Sequence, residues 1–272
     1  MRGLYRKMAS KPSGTASRSG WSDQLRWLTA AGLVAAILLA SSLVSAQVLI
    51  SPVVLELGAR QRAIAVTVSL SDKASAPMRL QAELLRWRQD VDGAPITVPS
   101  DDLLVSPPIA DVQPGGKQVF RVALRGPRPA PEELTYRLIL ENIAEPTVAA
   151  DSTPGMNIKF RMRYDLPVLV APVGPVVNAL RWKPCGTDAA SMPAKACVRL
   201  LNAGNRRVKV QTLTLLGDHW QQALSLKDGD NVLAGDEREW HVPLQAGQTG
   251  PLQGIEVITA RGETLQADAG GF

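Results

Sequence analysis

From residue 47 onward the sequence predicts an all-β protein of two domains. Three observations carry this: apolar residues alternate with a period of two, Gly/Pro turns recur at roughly 8–12-residue intervals, and no segment offers a sustained helical apolar stripe. Such a pattern argues for sandwiches or barrels. Residues 64–70 place Ile64, Val66, Val68 and Leu70 on one side and Ala65, Thr67 and Ser69 on the other, the period of a strand with one buried face. Residues 80–88 continue the alternation with a phase slip at Leu84-Leu85, which reads as a bulge. Residues 90–93 are a turn signal, and Pro95 and Pro99 restrict their own stretch of chain to loop or edge strand. Pro107-Pro108 reads as a strand-entry kink. Residues 119–124 and 136–143 alternate again, and 131–134 hold at most one short helical turn.

Residues 155–164 alternate strictly. Met156, Ile158, Phe160 and Met162 oppose Asn157, Lys159, Arg161 and Arg163, so the polar half is cationic. On pattern alone this is an amphipathic strand, and its cations are equally consistent with an edge guarded against aggregation. Near 167–178 three prolines (Pro167, Pro172, Pro175) and Gly174 interrupt an extended apolar run. Fixed φ and missing ladder donors suit a stiff elbow. The chain is therefore divided into residues 47–170 and 171–272. In the second part, residues 198–201, the turn at 202–205 (NAGN) and residues 208–216 read as a hairpin. Asp228-Gly229 and Asp230-Asn231 mark a further turn, and residues 252–260 a late strand. Trp182, Trp220 and Trp240 read as core or half-buried sheet residues.

The first 46 residues set the compartment. Arg2, Arg6, Lys7, Lys11, Arg18 and Arg26 face one acid, Asp23, ahead of an apolar stretch from Leu28 to Leu43 and the small-residue site Val44-Ser45-Ala46. These are the parts of a secretory signal, with Gln47 as the first mature residue and Met8 as an alternative start. The rival is an N-terminal anchor, for which the stretch is short of the about 20 residues a bilayer needs. The chain carries 30 basic and 25 acidic residues, and beyond residue 46 there are 24 of each. The net charge of +5 thus belongs to the presequence and does not argue for a nucleic-acid surface. No later stretch is long and apolar enough to span a membrane as a helix, so no stable membrane association is expected after cleavage. Cys185 and Cys197, 12 residues apart, suit an oxidised pair in an exported protein. That loop is worth about 3 kcal/mol in the chain-entropy model, with two free buried thiols as the alternative. Two cysteines without further ligands do not fill a zinc shell.

Enzyme chemistry finds little support. The two histidines are His219 and His241, and no G-x-S-x-G elbow accompanies them. Asp101-Asp102 and Glu132-Glu133 stand beside loop prolines and read as solvated turn residues. No Gly-rich phosphate loop follows a strand. No cofactor or metal is expected.

The order of blocks resembles the periplasmic chaperones of the chaperone–usher pilus pathway. The blocks are Ile50-Ser51-Pro52-Val53, Leu104-Val105-Ser106-Pro107-Pro108-Ile109, and Val112-Gln113-Pro114-Gly115-Gly116-Lys117-Gln118 before Val119-Phe120-Arg121-Val122. Tyr136-Arg137-Leu138-Ile139-Leu140-Glu141-Asn142-Ile143 and Phe160-Arg161-Met162-Arg163-Tyr164-Asp165-Leu166-Pro167-Val168 complete the set. The last of these looks most like the archaic branch. The resemblance covers most of residues 48–170 and, through Asn202-Ala203-Gly204-Asn205, more weakly 171–260. It implies two immunoglobulin-like β-sandwiches joined by a Pro-rich elbow, in the periplasm. It further implies pilin subunits and an outer-membrane usher as partners. A subunit lacking its last strand is capped by a lent strand, for which Met156, Ile158, Phe160 and Met162 would fill the subunit's groove. The family's carboxylate anchor implies Arg163, with Arg161 as runner-up. Its first-strand basic position is Val54 here, leaving either a single anchor or a reach from Arg60 or Arg62. The alternative is a structural or adhesive exported protein, a pilus subunit or tip component.

Overall fold

A computed structural model describes residues 47–126, 130–144, 161–188 and 195–272, and among them all regular structure is β-strand. The first ten strands are β1 (Val48–Ser51), β2 (Leu55–Leu57), β3 (Ala63–Leu70), β4 (Met78–Gln89), β5 (Pro95–Pro99), β6 (Leu103–Ser106), β7 (Ile109–Val112), β8 (Lys117–Leu124), β9 (Leu134–Asn142) and β10 (Arg163–Val170). Seven more are β11 (Leu180–Asp188), β12 (Lys195–Asn202), β13 (Val208–Leu216), β14 (Gln221–Val232), β15 (Glu237–Pro243), β16 (Gly254–Thr259) and β17 (Thr264–Ala269). No helical turn forms at 131–134.

One sheet of the first sandwich runs β1-β3-β8-β6; the other runs β2-β10-β9-β4-β5, with β7 also on β4. Their inner faces enclose Leu55, Val66, Val68, Leu80, Phe120, Tyr136, Leu138 and Val168. Those positions reflect alternation, since every second residue of a strand faces the same side. Pro52 separates β1 from β2. Lacking a backbone donor, it ends the antiparallel pairing of β1 with β3, and the chain resumes three residues later in the opposite sheet, parallel to β10. Pro95 and Pro99 bound β5, an edge strand as the prolines require. Pro107-Pro108 fall in the turn between β6 and β7.

The remaining seven strands run β14-β13-β16-β17-β11-β12-β15 around a second core that includes Trp182, Leu200, Leu213, Trp240 and Val257, with Trp220 packed against it. Cys185 on β11 and Cys197 on β12 form a disulfide.

Three local expectations are corrected. The phase slip at Leu84-Leu85 is not a bulge, because β4 keeps unbroken register with β9 from Leu80↔Asn142 to Arg86↔Tyr136. The pattern slips because Trp87 points to the opposite face from Leu84 and is buried there by Leu169 and Leu233. The NAGN segment is not a hairpin turn, since β12 pairs with β11 and β15, whereas β13 pairs with β14 and β16. It is a corner built around the buried side chain of Asn202. That amide donates to the Arg206 and Val232 carbonyls (2.8 and 2.9 Å) and accepts from the Gly204 N–H (3.0 Å). Finally, Asp228-Gly229 does not end a strand. The register shifts between Val210 and Thr212, whose partners are Asp230 and Ser225, so the extra residues bulge out of a continuous β14.

The corner also receives the elbow. Asn205 donates to the Pro131 and Pro175 carbonyls and its oxygen accepts from the Val177 N–H. A Cβ at Gly204 would stand 2.4 Å from the Val177 carbonyl oxygen. Gly204→Ala is therefore expected to lower unfolding stability by about 1–3 kcal/mol, the usual cost of overpacking, read as a fall in urea midpoint.

Tyr136, fully buried in the first core, donates its hydroxyl to Asp102 Oδ2 at 2.8 Å. This bond, ahead of the other influences, holds the Asp102 carboxyl below its usual range. The folded chain thus keeps that charge to lower pH than the unfolded chain does. The stabilisation is present above the ordinary carboxylate pKa of about 3.9 and is lost as pH falls through the lowered folded value. Tyr136→Phe should cost about 1 kcal/mol at pH 7, and the difference from wild type should vanish in unfolding titrations carried below that folded value.

Candidate functional site

Two features of the first sandwich offer a binding surface: the edge of β10 and the cleft beside it. β9 pairs with β10 along its whole length, from Arg163↔Glu141 to Val170↔Leu134. On the other side β2 reaches only Val168, Leu169 and Val170. Among the described residues no strand pairs with that second edge from Arg163 to Pro167. Unpaired backbone donors and acceptors on an edge are a template for another chain. Exposed Val53 and Val54, which precede β2, add apolar surface, and Val54 lines one cleft together with Pro167 of β10.

Three of the expected site residues lie at the start of this edge. Arg163 opens β10 and is exposed. Arg161 is exposed and lies 3.6 Å from Glu141. Met162 is 48% exposed, and its carbonyl accepts from the Asn142 N–H at 2.9 Å, carrying the pairing one residue beyond β10. Met156, Ile158 and Phe160 lie outside the described residues. Arg62 donates to the Gly126 carbonyl, and neither Arg60 nor Arg62 lines the cleft around Val54.

Between the two cores the chain builds contacts that sequence reading missed. Glu133 is buried, not a solvated turn residue, with a side chain only 2% exposed. It accepts from Arg207 Nη1 at 2.9 Å and from the Arg207 N–H at 3.1 Å, with Arg206 at 3.6 Å. Arg207 also pairs with Glu56. Burial pushes the Glu133 carboxyl up against the pull of these arginines, whereas the bond from Arg207 holds the more open Glu56 down. In the opposite direction, buried Asp236 accepts from Arg88 Nε at 2.7 Å and from the Gln89 N–H at 3.0 Å. The Leu233 N–H donates to Gln89 Oε1 at 3.0 Å, and the Glu239 N–H to the Val91 carbonyl at 2.7 Å. Glu132 is exposed, as a solvated turn acid should be, but Glu133 looked like one only because its partner Arg207 lies 74 positions away, beyond any local pattern.

With the open edge and the sheet order in view, the chain can be set beside known proteins. Residues 47–175 match the family model described as pili and flagellar-assembly chaperone, PapD N-terminal domain. Solved structures extend the likeness across both sandwiches, each at an identity that speaks for the fold. The CsuC–CsuE chaperone–tip adhesion subunit pre-assembly complex, from the archaic chaperone–usher Csu pili of Acinetobacter baumannii, includes a chain 18% identical with a TM-score of 0.59. The match covers 83% of this chain and 100% of that one. CfaA, a class 5 fimbriae chaperone, is 13% identical with a TM-score of 0.55, covering 81% and 98%. A Salmonella enterica complex of SafA pilin with the SafB chaperone gives 16% and 0.51, covering 84% and 98%. A comparison with curated proteins gives no match. The fold is that of two immunoglobulin-like sandwiches, as the sequence implied, and the family whose model matches residues 47–175 is a chaperone family and not an enzyme class.

Removing Glu133 leaves Arg206 and Arg207 without their shared buried counter-ion. Glu133→Ala is expected to cost about 3 kcal/mol of stability, measured by urea denaturation, with Glu133→Gln losing less because its amide still accepts from the Arg207 N–H.

Proposed function

We propose that the chain is a periplasmic chaperone that binds pilin subunits by lending them a strand and passes them to an outer-membrane usher. One observation carries the reading: in a PapD-type domain, the edge of β10 from Arg163 to Pro167 stands unpaired among the described residues. A sheet lacking a strand gains main-chain hydrogen bonds from such an edge, and alternate side chains supply the specificity. The strand would run back through residues 156–162, with Met156, Ile158, Phe160 and Met162 entering the subunit's groove. Methionine suits an irregular groove because it is unbranched. Arg163, exposed at the start of β10, and Arg161 beside it are the cations offered to the subunit's terminal carboxylate. Exchange with another subunit's strand would release the client without nucleotide or cofactor. The structures resembling the chain include chaperones solved with a tip adhesion subunit and with a pilin.

Co-purification after export with each pilin-like protein encoded nearby tests this. A stoichiometric complex is expected, weakened by Arg163→Ala and abolished by Ile158→Asp or Phe160→Asp in a protein that still folds. Unaltered capture in both aspartate variants would sink the lent-strand assignment. Capture of no pilin at all would favour a structural or adhesive component, which should polymerise on its own.

A further inference from the structure

In sequence Cys185 and Cys197 have no further metal ligand nearby, but the fold supplies two. β12 and β15 pair so that Cys197 stands opposite His241 and Arg199 opposite Glu239. Directly opposed residues, and residues two apart on one strand, face the same side of a sheet. Val198 and Leu200 point into the second core, so these four side chains share the outward face. Cys185 joins them from β11, where the register with β12 steps from Pro184 to Gly186 and leaves Cys185 as the extra residue of a bulge. The two Sγ atoms and a carboxylate oxygen of Glu239 all lie within 4.8 Å of one another. His241 Nε2 lies 3.2 Å from Glu239 Oε1.

A disulfide asks nothing of its neighbours. Two sulfurs, a carboxylate oxygen and an imidazole nitrogen, by contrast, are the donors of a tetrahedral zinc site. The carboxylate is also held from behind. Arg199 donates to Glu239 Oε2 through Nη2 at 2.7 Å and Nε at 3.2 Å, which leaves Oε1 toward His241. Outer contacts of this kind orient the ligands of metal sites. Arg199 would also offset the excess negative charge of two thiolates and a carboxylate around a divalent cation, with Glu237, 3.6 Å away, drawing on the same guanidinium. Cys197 is buried and Glu239 half-buried, whereas Cys185 and His241 are exposed, so an ion has a way in from solvent.

We propose that the dithiol form of the chain binds one zinc ion through Cys185 Sγ, Cys197 Sγ, Glu239 Oε1 and His241 Nε2, and that the disulfide and the ion exclude one another. A dithiol reductant supplies the two electrons and two protons that turn the S–S bond into two thiols, and is itself oxidised to a disulfide. Zinc then displaces both thiol protons to solvent. His241 reaches the ion by side-chain rotation alone, because its backbone already stands opposite Cys197. The disulfide joins β11 to β12, and the ion joins β15 to both. The site uses no residue of the β10 edge and does not rest on the pilin reading.

The test is titration of the exported protein with zinc sulfate against a chromophoric zinc chelator, in the disulfide form and after anaerobic reduction with dithiothreitol and its removal. One zinc per chain is expected in the dithiol form and none in the disulfide form. Cobalt(II) in place of zinc should give the intense visible bands of a tetrahedral site together with thiolate charge transfer. Glu239→Gln and His241→Ala should each weaken zinc by more than the about tenfold that loss of an outer contact costs, and replacing both cysteines by serine should abolish binding. Where reduction alone lowers the near-UV circular dichroism, zinc is expected to restore it. No stoichiometric zinc in the dithiol form, equal uptake by the disulfide form, or an octahedral cobalt spectrum would overturn the proposal. So would a signal lost on reduction that zinc fails to restore. Unchanged affinity in either Glu239→Gln or His241→Ala would do the same, leaving a thiol pair that holds an adventitious ion only.

Discussion

A β-sandwich buries one face of each sheet and leaves the other to water, and the structure turns on one breach of that rule. Trp87 on β4 and Leu169 on β10 lie on the outward face of their sheet yet are 4% and 3% exposed. Their cover is Leu233, which belongs to the second sandwich. An aromatic ring and a leucine left in water would forfeit about 1.5–3 kcal/mol each, so the second core is held against this patch. The hydrogen bonds around it depend on that placement. Gln89, two residues beyond Trp87, pairs with Leu233 and Asp236, and Arg88 reaches the Asp236 carboxylate.

The open edge has a related origin. Had the first strand run without interruption along β10, it would have covered the stretch from Arg163 to Pro167 that no strand pairs among the described residues. Pro52 divides it, so β1 serves one sheet and β2 contributes three residues to the other. The same short β2 leaves Val54 beside Pro167, where apolar wall and cationic lining meet. Edge and cleft are thus two results of one proline.

Most of the strands were legible because alternation reports burial directly. Ile64, Val66, Val68 and Leu70 face inward, and the prolines at 95 and 99 bound an edge strand. What escaped reading depended on partners remote in sequence. The apparent bulge at Leu84-Leu85 arose because Trp87 faces a different core. The NAGN segment has hairpin composition, but its buried Asn202 organises a corner between sheets, and nothing local separates the two. Asp228-Gly229 carries turn chemistry that a long strand absorbs as a bulge. Glu133 has the neighbours of a surface acid and the environment of a buried one. The lining of the cleft beside β10 was invisible for the same reason: Trp87, Arg137 and Lys209 stand on three different strands, and only the tertiary fold brings them to one space.

The buried ion pairs between the sandwiches run in both directions. Glu133 of the first half is neutralised by Arg206 and Arg207 of the second, while Asp236 of the second is neutralised by Arg88 of the first. Neither half carries its own counter-charges, so the two are not interchangeable modules. A chimera that exchanged one sandwich for a distant relative's would inherit a buried carboxylate without its arginine and an arginine without its carboxylate. Change at Glu133, Asp236 or their arginines is thereby coupled across the elbow, and the halves would have to diverge as a matched pair.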